Sequence, residues 1–277
     1  MHRVGVIGWP IEHSLSPVMH NAAFRALGMT DWSYERFAIP PDIVRLSLRE
    51  FRQHGFIGLN VTVPHKQTVM PFVKSDAVAK AIGAVNTIDF RTNVGTNTDC
   101  DGFMEDLAAH GVSLRGRRVV VLGAGGAARA AVYGLSRAGA RVVIVNRTTE
   151  TAERLLTSLQ VEGSVLSARD AVREPVDLLV NCTSVGMDPA RDASPWPEDV
   201  ELPEGLVLYD MIYRPSTTRL MAQVRARAGH AINGMGMLVR QGAAAFRIWT
   251  GLEAPVAVMM DALRDALYQR EAEVTDG

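Results

Sequence analysis

Three short apolar runs in the first part of the chain, RVGVIG (3–8), SYERFAI (33–39) and GFIGLNVTV (55–63), alternate with two segments whose apolar positions recur every three or four residues. Those segments are PVMHNAAFRALG (17–28) and PDIVRLSLREFRQHG (41–55), and each closes near a Gly. Short apolar runs bounded by turn residues predict strands, and the 3.6-residue period predicts helices. Their alternation is the pattern of an α/β fold. From about residue 117 the pattern restarts: RRVVVLGAGG, a small-residue helix AARAAVYGLSRAG, then RVVIVNRT, VDLLVNCTS and LVLYDMIY. This half predicts a doubly wound parallel sheet of its own. The polar, Gly-punctuated stretch 111–117 is the expected boundary, giving domains 1–110 and 111–234. The Pro-rich, acidic stretch 188–205 is expected as a surface loop, and the chain after NGMGM reads as helical.

The second half carries a motif with a mechanism. In VVVLGAGGAARAA, Gly123, Gly125 and Ala128 stand in the spacing G-x-G-x-x-G/A between a predicted strand and a predicted helix. The first Gly permits a tight turn, the second lets backbone approach a pyrophosphate, and the small third residue allows close helix packing while the helix N-terminus offers N–H groups to the anion. About twenty residues on, where an NAD site places an acid for the ribose 2'-hydroxyl, the chain has Asn146-Arg147-Thr148. An acid would repel a 2'-phosphate, whereas Arg147 can pair with one and its neighbours can donate to it. The expected cofactor is NADP, on a Rossmann-type domain.

In the first half, polar residues gather at predicted strand and loop ends. HSLSP (13–17) offers Ser14 and Ser16, either as turn chemistry with Ser16 as a helix N-cap or as ligands for a small polar molecule. NVTVPHK leaves Thr62 and Lys66 beyond a strand, and GAVNT and GTNTDCDGF add Asn86 and Asp99 in loops where neither is expected to help a core. Such a set suits a ligand rich in hydroxyls. Moving a hydride between a carbinol carbon and a nicotinamide also moves the hydroxyl proton, which calls for a general acid/base, and Lys66 and Asp99 are the candidates.

Composition narrows the partners. With 29 basic and 30 acidic residues scattered over 277, the net charge of -1 leaves no footprint for nucleic acid or an anionic membrane. The expected partner is a small molecule, with the protein a monomer or homodimer. The start MHRVGVIG has no signal-sequence pattern and no apolar run reaches membrane-spanning length, so a cytoplasmic location is expected. Cys100 and Cys182 are too few and too distant for a disulfide or zinc framework and read as ordinary small residues, and His13, His20 and His65 lack paired ligand spacing, so no metal is expected.

Taken together, HSLSPVMHNAAF, NVTVPHK, GAVNT, NTDCDGF, GAGGAARAA, NRT, NCTSVGM, YDMIYRP and GMLVRQGAAAF, almost end to end, resemble the shikimate dehydrogenase family. The resemblance implies an NADP-dependent oxidoreductase that reversibly reduces 3-dehydroshikimate to shikimate in aromatic amino-acid biosynthesis. Quinate/shikimate or aminoshikimate dehydrogenase is the alternative within the superfamily, and a non-catalytic NADP-binding sensor is the alternative outside it. It also implies that Ser14 and Ser16 bind the substrate carboxylate and that Thr62, Lys66, Asn86, Asp99 and Gln241 surround the ring hydroxyls, with Lys66 and Asp99 as the catalytic pair and Tyr213 completing the pocket. Gly123, Ala124, Gly125, Gly126 and Ala127 would meet the pyrophosphate and Asn146, Arg147 and Thr148 the adenosine end, with Met211 and Gly234 near the nicotinamide. The C-terminal helices, 235–277, would return to the first domain and bring Gln241 to a substrate cleft between domains.

The chain departs from the family pattern in places. Thr151 stands where the family often has a basic residue, with Arg154 three positions further on, and Arg214 stands where it usually has Asn before Pro. Asp99 alone falls in the NTD triplet; Asp101 reads as a helix-start acid. Met235 and Met237 read as packing residues.

Overall fold

The computed structural model describes residues 1–188 and 190–275. The chain divides into two compact units, one of residues 1–102 with Leu238 onward and one of Phe103–Met237. In chain order the first unit begins with β1 (His2–Gly8), α1 (Ser16–Ala26), β2 (Trp32–Ala38), α2 (Val44–Gln53) and β3 (Phe56–Val61). Then come β4 (Lys74–Ser75), α3 (Ala77–Ile82), β5 (Thr87–Asp89), β6 (Val94–Thr96) and α4 (Asp99–Ala109), whose later residues pass into the second unit. There follow β7 (Arg118–Leu122), α5 (Gly126–Arg137), β8 (Arg141–Val145), α6 (Thr149–Leu159), β9 (Gly163–Val165), α7 (Ala168–Ala171), β10 (Leu178–Asn181), β11 (Val207–Asp210), α8 (Arg219–Arg225) and β12 (His230–Asn233). Helix α9 (Met235–Thr250) leads back to the first unit, which α10 (Val256–Thr275) completes.

The first sheet runs β2-β1-β3-β5-β6-β4. Strand β1 is parallel to β2 and β3, β5 is antiparallel to both β3 and β6, and β4 is parallel to β6. The three long strands and two helices expected from periodicity are present. The predicted third strand stops at Val61, before the loop that carries Lys66. Strands β4, β5 and β6 span two or three residues each, too few for any period to register. The expectation of simple loops at GAVNT and GTNTDCDGF is therefore corrected. Thr87 begins β5, Asp99 opens α4, and Asn86, Thr87 and Asp99 are buried.

In the second sheet, β12-β11-β10-β7-β8-β9, every neighbouring pair is parallel. In chain order within the unit this is 6-5-4-1-2-3, the doubly wound Rossmann arrangement, with its switch point between β7 and β10. The junctions of the two units lie within helices, and not in the 111–117 loop or at 234/235. Phe103 packs edge-on against Tyr209, Asp106 accepts from the Tyr209 hydroxyl at 2.8 Å, and Phe103, Leu107 and Met237 lie in the second core. These contacts draw both helices across the boundary, which local polarity cannot reveal. Residues 190–205 have no regular structure, yet Trp196, Val200 and Leu202 anchor them in the core, so this stretch is only partly the surface loop expected.

An aromatic cluster binds α1 and α9 to the first sheet: His20, Phe24, Tyr34, Phe246 and Trp249. The His20 ring is fully buried, stacked on Tyr34 at 4.3 Å and 5°, and neither ring nitrogen has a hydrogen-bond partner among the described residues. Burial lowers its pKa from 6.5 to about 3. Between those values the unfolded chain binds a proton that the folded chain does not, so stability falls as pH drops from 6.5 towards 3. The slope contributed by this one residue approaches about 1.4 kcal/mol per pH unit. Urea unfolding between about pH 7.5 and 5 should show this acid limb, and His20→Phe should make it shallower; an identical slope in both proteins would show that His20 is not its source.

Candidate functional site

Beyond β3 the chain turns through Thr62 and Lys66, and three bonds hold the turn. Thr62 N–H donates to Ile7 O at 2.9 Å, Val85 N–H donates to Lys66 O at 2.8 Å, and His65 Nε2 meets Ile39 O at 2.7 Å. A carbonyl can only accept, so that His65 nitrogen carries the proton. The turn delivers the Lys66 ammonium to Asp99, Nζ to Oδ2 at 2.7 Å, with side chains 15% and 7% exposed. Asp99 is the first residue of α4. Its N–H donates to Asn97 Oδ1 at 3.1 Å, and its other carboxylate oxygen accepts from Asn86 Nδ2 at 2.9 Å. Gln241, on α9, donates from Nε2 to Leu238 O at 2.7 Å and presents Oε1 3.5 Å from Asn86 Nδ2. A Cβ on Gly102 would lie 2.7 Å from the Gln241 backbone nitrogen, so the bare glycine permits this approach. Lys66, Asp99, Asn86 and Gln241 thus form one cluster, and Thr62 shares the Lys66 turn.

Ser14 and Ser16 stand at the start of α1. The N-cap is Leu15, with no side-chain cap, and the Ser16 N–H reaches Ser14 Oγ at 3.4 Å, so Ser16 is not the N-cap that turn chemistry alone would make it. The Ser16 side chain is buried and near enough to the Tyr34 phenol to oppose the effect of burial on it, and the Tyr34 hydroxyl donates to Asn60 Oδ1 at 2.7 Å. Asn60, Thr87 and Thr98 belong to the same buried polar network, and although all three sit inside the motifs NVTVPHK, GAVNT and NTDCDGF, no local pattern marks them as functional. Asp101 lies in the first turn of α4 as expected, its carboxyl pushed up by burial and by Asp76.

In the second unit, Gly123 follows β7 with φ +96°, a conformation that favours glycine, and its Cβ position lies 3.0 Å from Thr183 Cγ2. Gly125 is the N-cap of α5. No side chain caps that twelve-residue helix, and nothing lies within 4 Å of where a Gly125 Cβ would be. Behind this open cradle Ala128 is fully buried, allowing the helix to lie close to the sheet. Ala124 and Ala127 are half-buried, and Gly126 is the first helical residue. At the end of β8, Asn146 Nδ2 donates to Thr148 O at 2.8 Å, Thr148 is the N-cap of α6, and Arg147 is exposed with no hydrogen bond or ion pair among the described residues. An uncapped helix N-terminus beside a glycine cradle, with a free guanidinium at the next strand end, fits the pyrophosphate and 2'-phosphate of NADP. Arg154 donates to Thr151 Oγ1 at 3.2 Å.

Beyond β11 and β12, Gly234 crosses so close to Met211 that a Cβ would sit 2.2 Å from the Met211 carbonyl oxygen, which brings these two expected neighbours of the nicotinamide together. Asp210 organises that loop by accepting from Asn181 Nδ2 at 2.9 Å, Ile212 N–H at 3.1 Å and Thr218 Oγ1 at 2.7 Å. Burial raises its pKa against those three donors. Tyr213, half-buried, follows on the same loop in this second unit. The structure also accounts for Arg214, which with Arg191 clasps Asp188, the Arg214 Nε lying 2.6 Å from Oδ2.

Three family models match the chain: the shikimate dehydrogenase substrate binding domain over residues 6–88, shikimate / quinate 5-dehydrogenase over 106–187, and the shikimate 5'-dehydrogenase C-terminal domain over 234–264. A shikimate dehydrogenase (NADP(+)) of Methanocella arvoryzae is 44% identical over 267 residues, covering 95% of this chain and 98% of the relative. The crystal structure of shikimate 5-dehydrogenase from Thermus thermophilus in complex with NADP(H) and shikimate superposes with a TM-score of 0.88 at 38% identity, covering 96% of this chain and 100% of that one. A ligand-free 5-ketofructose reductase of Gluconobacter has a TM-score of 0.82 at 30% identity, covering 96% of this chain and 98% of that one. Identity of this level along nearly the whole length, together with the three domain matches, means that the chain belongs to the shikimate dehydrogenase family.

Proposed function

We propose that the protein is an NADP-dependent shikimate dehydrogenase, reducing 3-dehydroshikimate reversibly to shikimate in aromatic amino-acid biosynthesis, and that it works in the cytoplasm. The observation that carries this reading is the Lys66–Asp99 pair, 2.7 Å apart and mostly withdrawn from water, with Asn86 on Asp99 and Gln241 beside Asn86. Among the described residues no helix is long and apolar enough to cross a membrane.

NADPH, when bound, supplies the hydride that the carbonyl carbon receives. The chain's own residues handle the proton and the charge. Lys66, its ammonium positioned by the pairing with Asp99, donates a hydrogen bond to the carbonyl oxygen and releases its proton as that oxygen becomes an alkoxide, leaving a hydroxyl on the product and a neutral amine on Lys66. Solvent returns the proton to the amine, and the reverse reaction retraces the steps. Asn86 and Gln241 address the neighbouring ring hydroxyls, Thr62 joins them from the Lys66 turn, and Tyr213 contributes to substrate binding. Ser14 and Ser16 accommodate the substrate carboxylate at the uncapped start of α1, where the helix end favours negative charge. The α5 N-terminus and residues 123–127 hold the cofactor pyrophosphate, and Asn146, Arg147 and Thr148 hold the adenosine end, Arg147 pairing with the 2'-phosphate. Met211 and Gly234 flank the nicotinamide.

The deciding experiment is a steady-state assay of nicotinamide reduction crossing shikimate and quinate with NADP and NAD. Turnover concentrated in the shikimate–NADP pair supports the proposal; preference for quinate or NAD would place the protein on the broader branch of the family, and no turnover would revive a binding role. Lys66→Ala should lower kcat about 100-fold to 10,000-fold while cofactor binding stays intact by fluorescence titration; wild-type turnover would remove Lys66 from the mechanism. Arg147→Ala should weaken NADP binding about tenfold and NAD binding hardly at all, and equal losses for the two cofactors would mean that Arg147 does not read the 2'-phosphate.

A further inference from the structure

The donors and acceptors around Asp99 run in one direction. Asn60 Nδ2 lies 3.2 Å from the Asn86 carbonyl, which can only accept, so the orientation of the Asn60 amide is fixed and its Oδ1 must face Tyr34. That oxygen carries no proton, so the Tyr34 hydroxyl is the donor across the 2.7 Å contact. Asn60 Nδ2 also donates to Thr87 Oγ1 at 3.0 Å, and of the two acceptors within reach of the single Thr87 proton Asn86 Oδ1 is the nearer, at 3.0 Å against 3.3 Å for the Thr98 hydroxyl. The Asn86 amide is fixed in turn, because the backbone N–H of Thr98, a donor only, meets Oδ1 at 2.8 Å. Its Nδ2 therefore donates to Asp99 Oδ1 at 2.9 Å. Tyr34, Asn60, Thr87, Asn86 and Asp99 are all buried.

We propose that Tyr34 is a positioning residue for catalysis, its hydroxyl heading a one-way chain of hydrogen bonds through Asn60, Thr87 and Asn86 that ends on the Asp99 carboxylate. Each donor polarises the next, so the Asn86 N–H that steadies Asp99 is a stronger donor than an isolated amide. By holding one carboxylate oxygen, the chain leaves the other aimed at Lys66. Two features keep the head of the chain a donor. The phenol is fully buried, which raises its pKa well above the ordinary value, and its ring is stacked on the neutral His20.

The inference rests on Lys66 and Asp99 being the catalytic pair, which wild-type turnover and Lys66→Ala test separately. With that established, kcat at saturating substrate and cofactor is compared for Tyr34→Phe, Thr87→Val, the double variant and Thr87→Ser, with thermal unfolding followed in parallel. Saturation removes any contribution of Ser16 to substrate affinity. Each of Tyr34→Phe and Thr87→Val should lower kcat about threefold to tenfold, the double variant should be no worse than the weaker single within about twofold, and Thr87→Ser, which keeps the hydroxyl, should retain more than about half of the activity. Two residues that merely pack would give effects that multiply. Multiplying effects, singles within about twofold of wild type, or a Thr87→Ser as slow as Thr87→Val would each overturn the proposal while leaving Lys66 and Asp99 in place.

Discussion

A carboxylate taken out of water must be paired and hydrogen-bonded or its burial is costly, and Asp99 imposes that constraint on the first unit. The Lys66 ammonium answers one oxygen and Asn86 the other. Asn86 then needs its own partners, which come from Thr98, Thr87 and, beyond them, Asn60 and Tyr34. The short strands β5 and β6 serve this demand, since they set Thr87 and the residues before Asp99 on facing positions, Thr87 opposite Thr96. One buried charge thus accounts for a file of polar side chains in a region that would otherwise be apolar core. A network that is fully satisfied is also rigid, and a general acid must be held within hydrogen-bond reach of its target.

The second unit answers a different requirement, backbone that can approach a ligand closely. A parallel sheet with its strand order reversing between β7 and β10 leaves the carboxyl ends of its strands open, and the glycine turn after β7 and the glycine beyond β12 lie at those ends. Glycine has different work at the two. At Gly125 the missing side chain keeps open space above a helix N-terminus; at Gly234 it lets one loop cross against the Met211 carbonyl. Asp210 is the polar counterweight, a buried carboxyl that gathers Asn181, Thr218 and the Ile212 N–H so that the loop bearing Met211 and Tyr213 leaves β11 in one defined direction. Arg214, a departure from the family pattern, is absorbed by the Asp188 clasp within this unit.

The chain's own order of residues determined the α/β class, the long strands and first helices, and the glycine turn with Arg147 after the next strand, and it marked Lys66 and Asp99 as candidates. Each of these is a local signal: a period, a turn that needs glycine, or a charged residue next to a predicted strand or helix. Only the tertiary structure decided the rest. Strands of two or three residues carry no period, and Phe103, Asp106 and Met237 pull their helices into the second core through contacts with partners far along the chain. Tyr34 reads in sequence as one more aromatic in a strand, and Asn60 and Thr87 as polar punctuation. Their common role exists only because β2, β3 and β5 lie across one sheet, bringing residues as distant in the chain as Tyr34 and Asp99 into a single line of hydrogen bonds whose direction is set by which atoms carry protons.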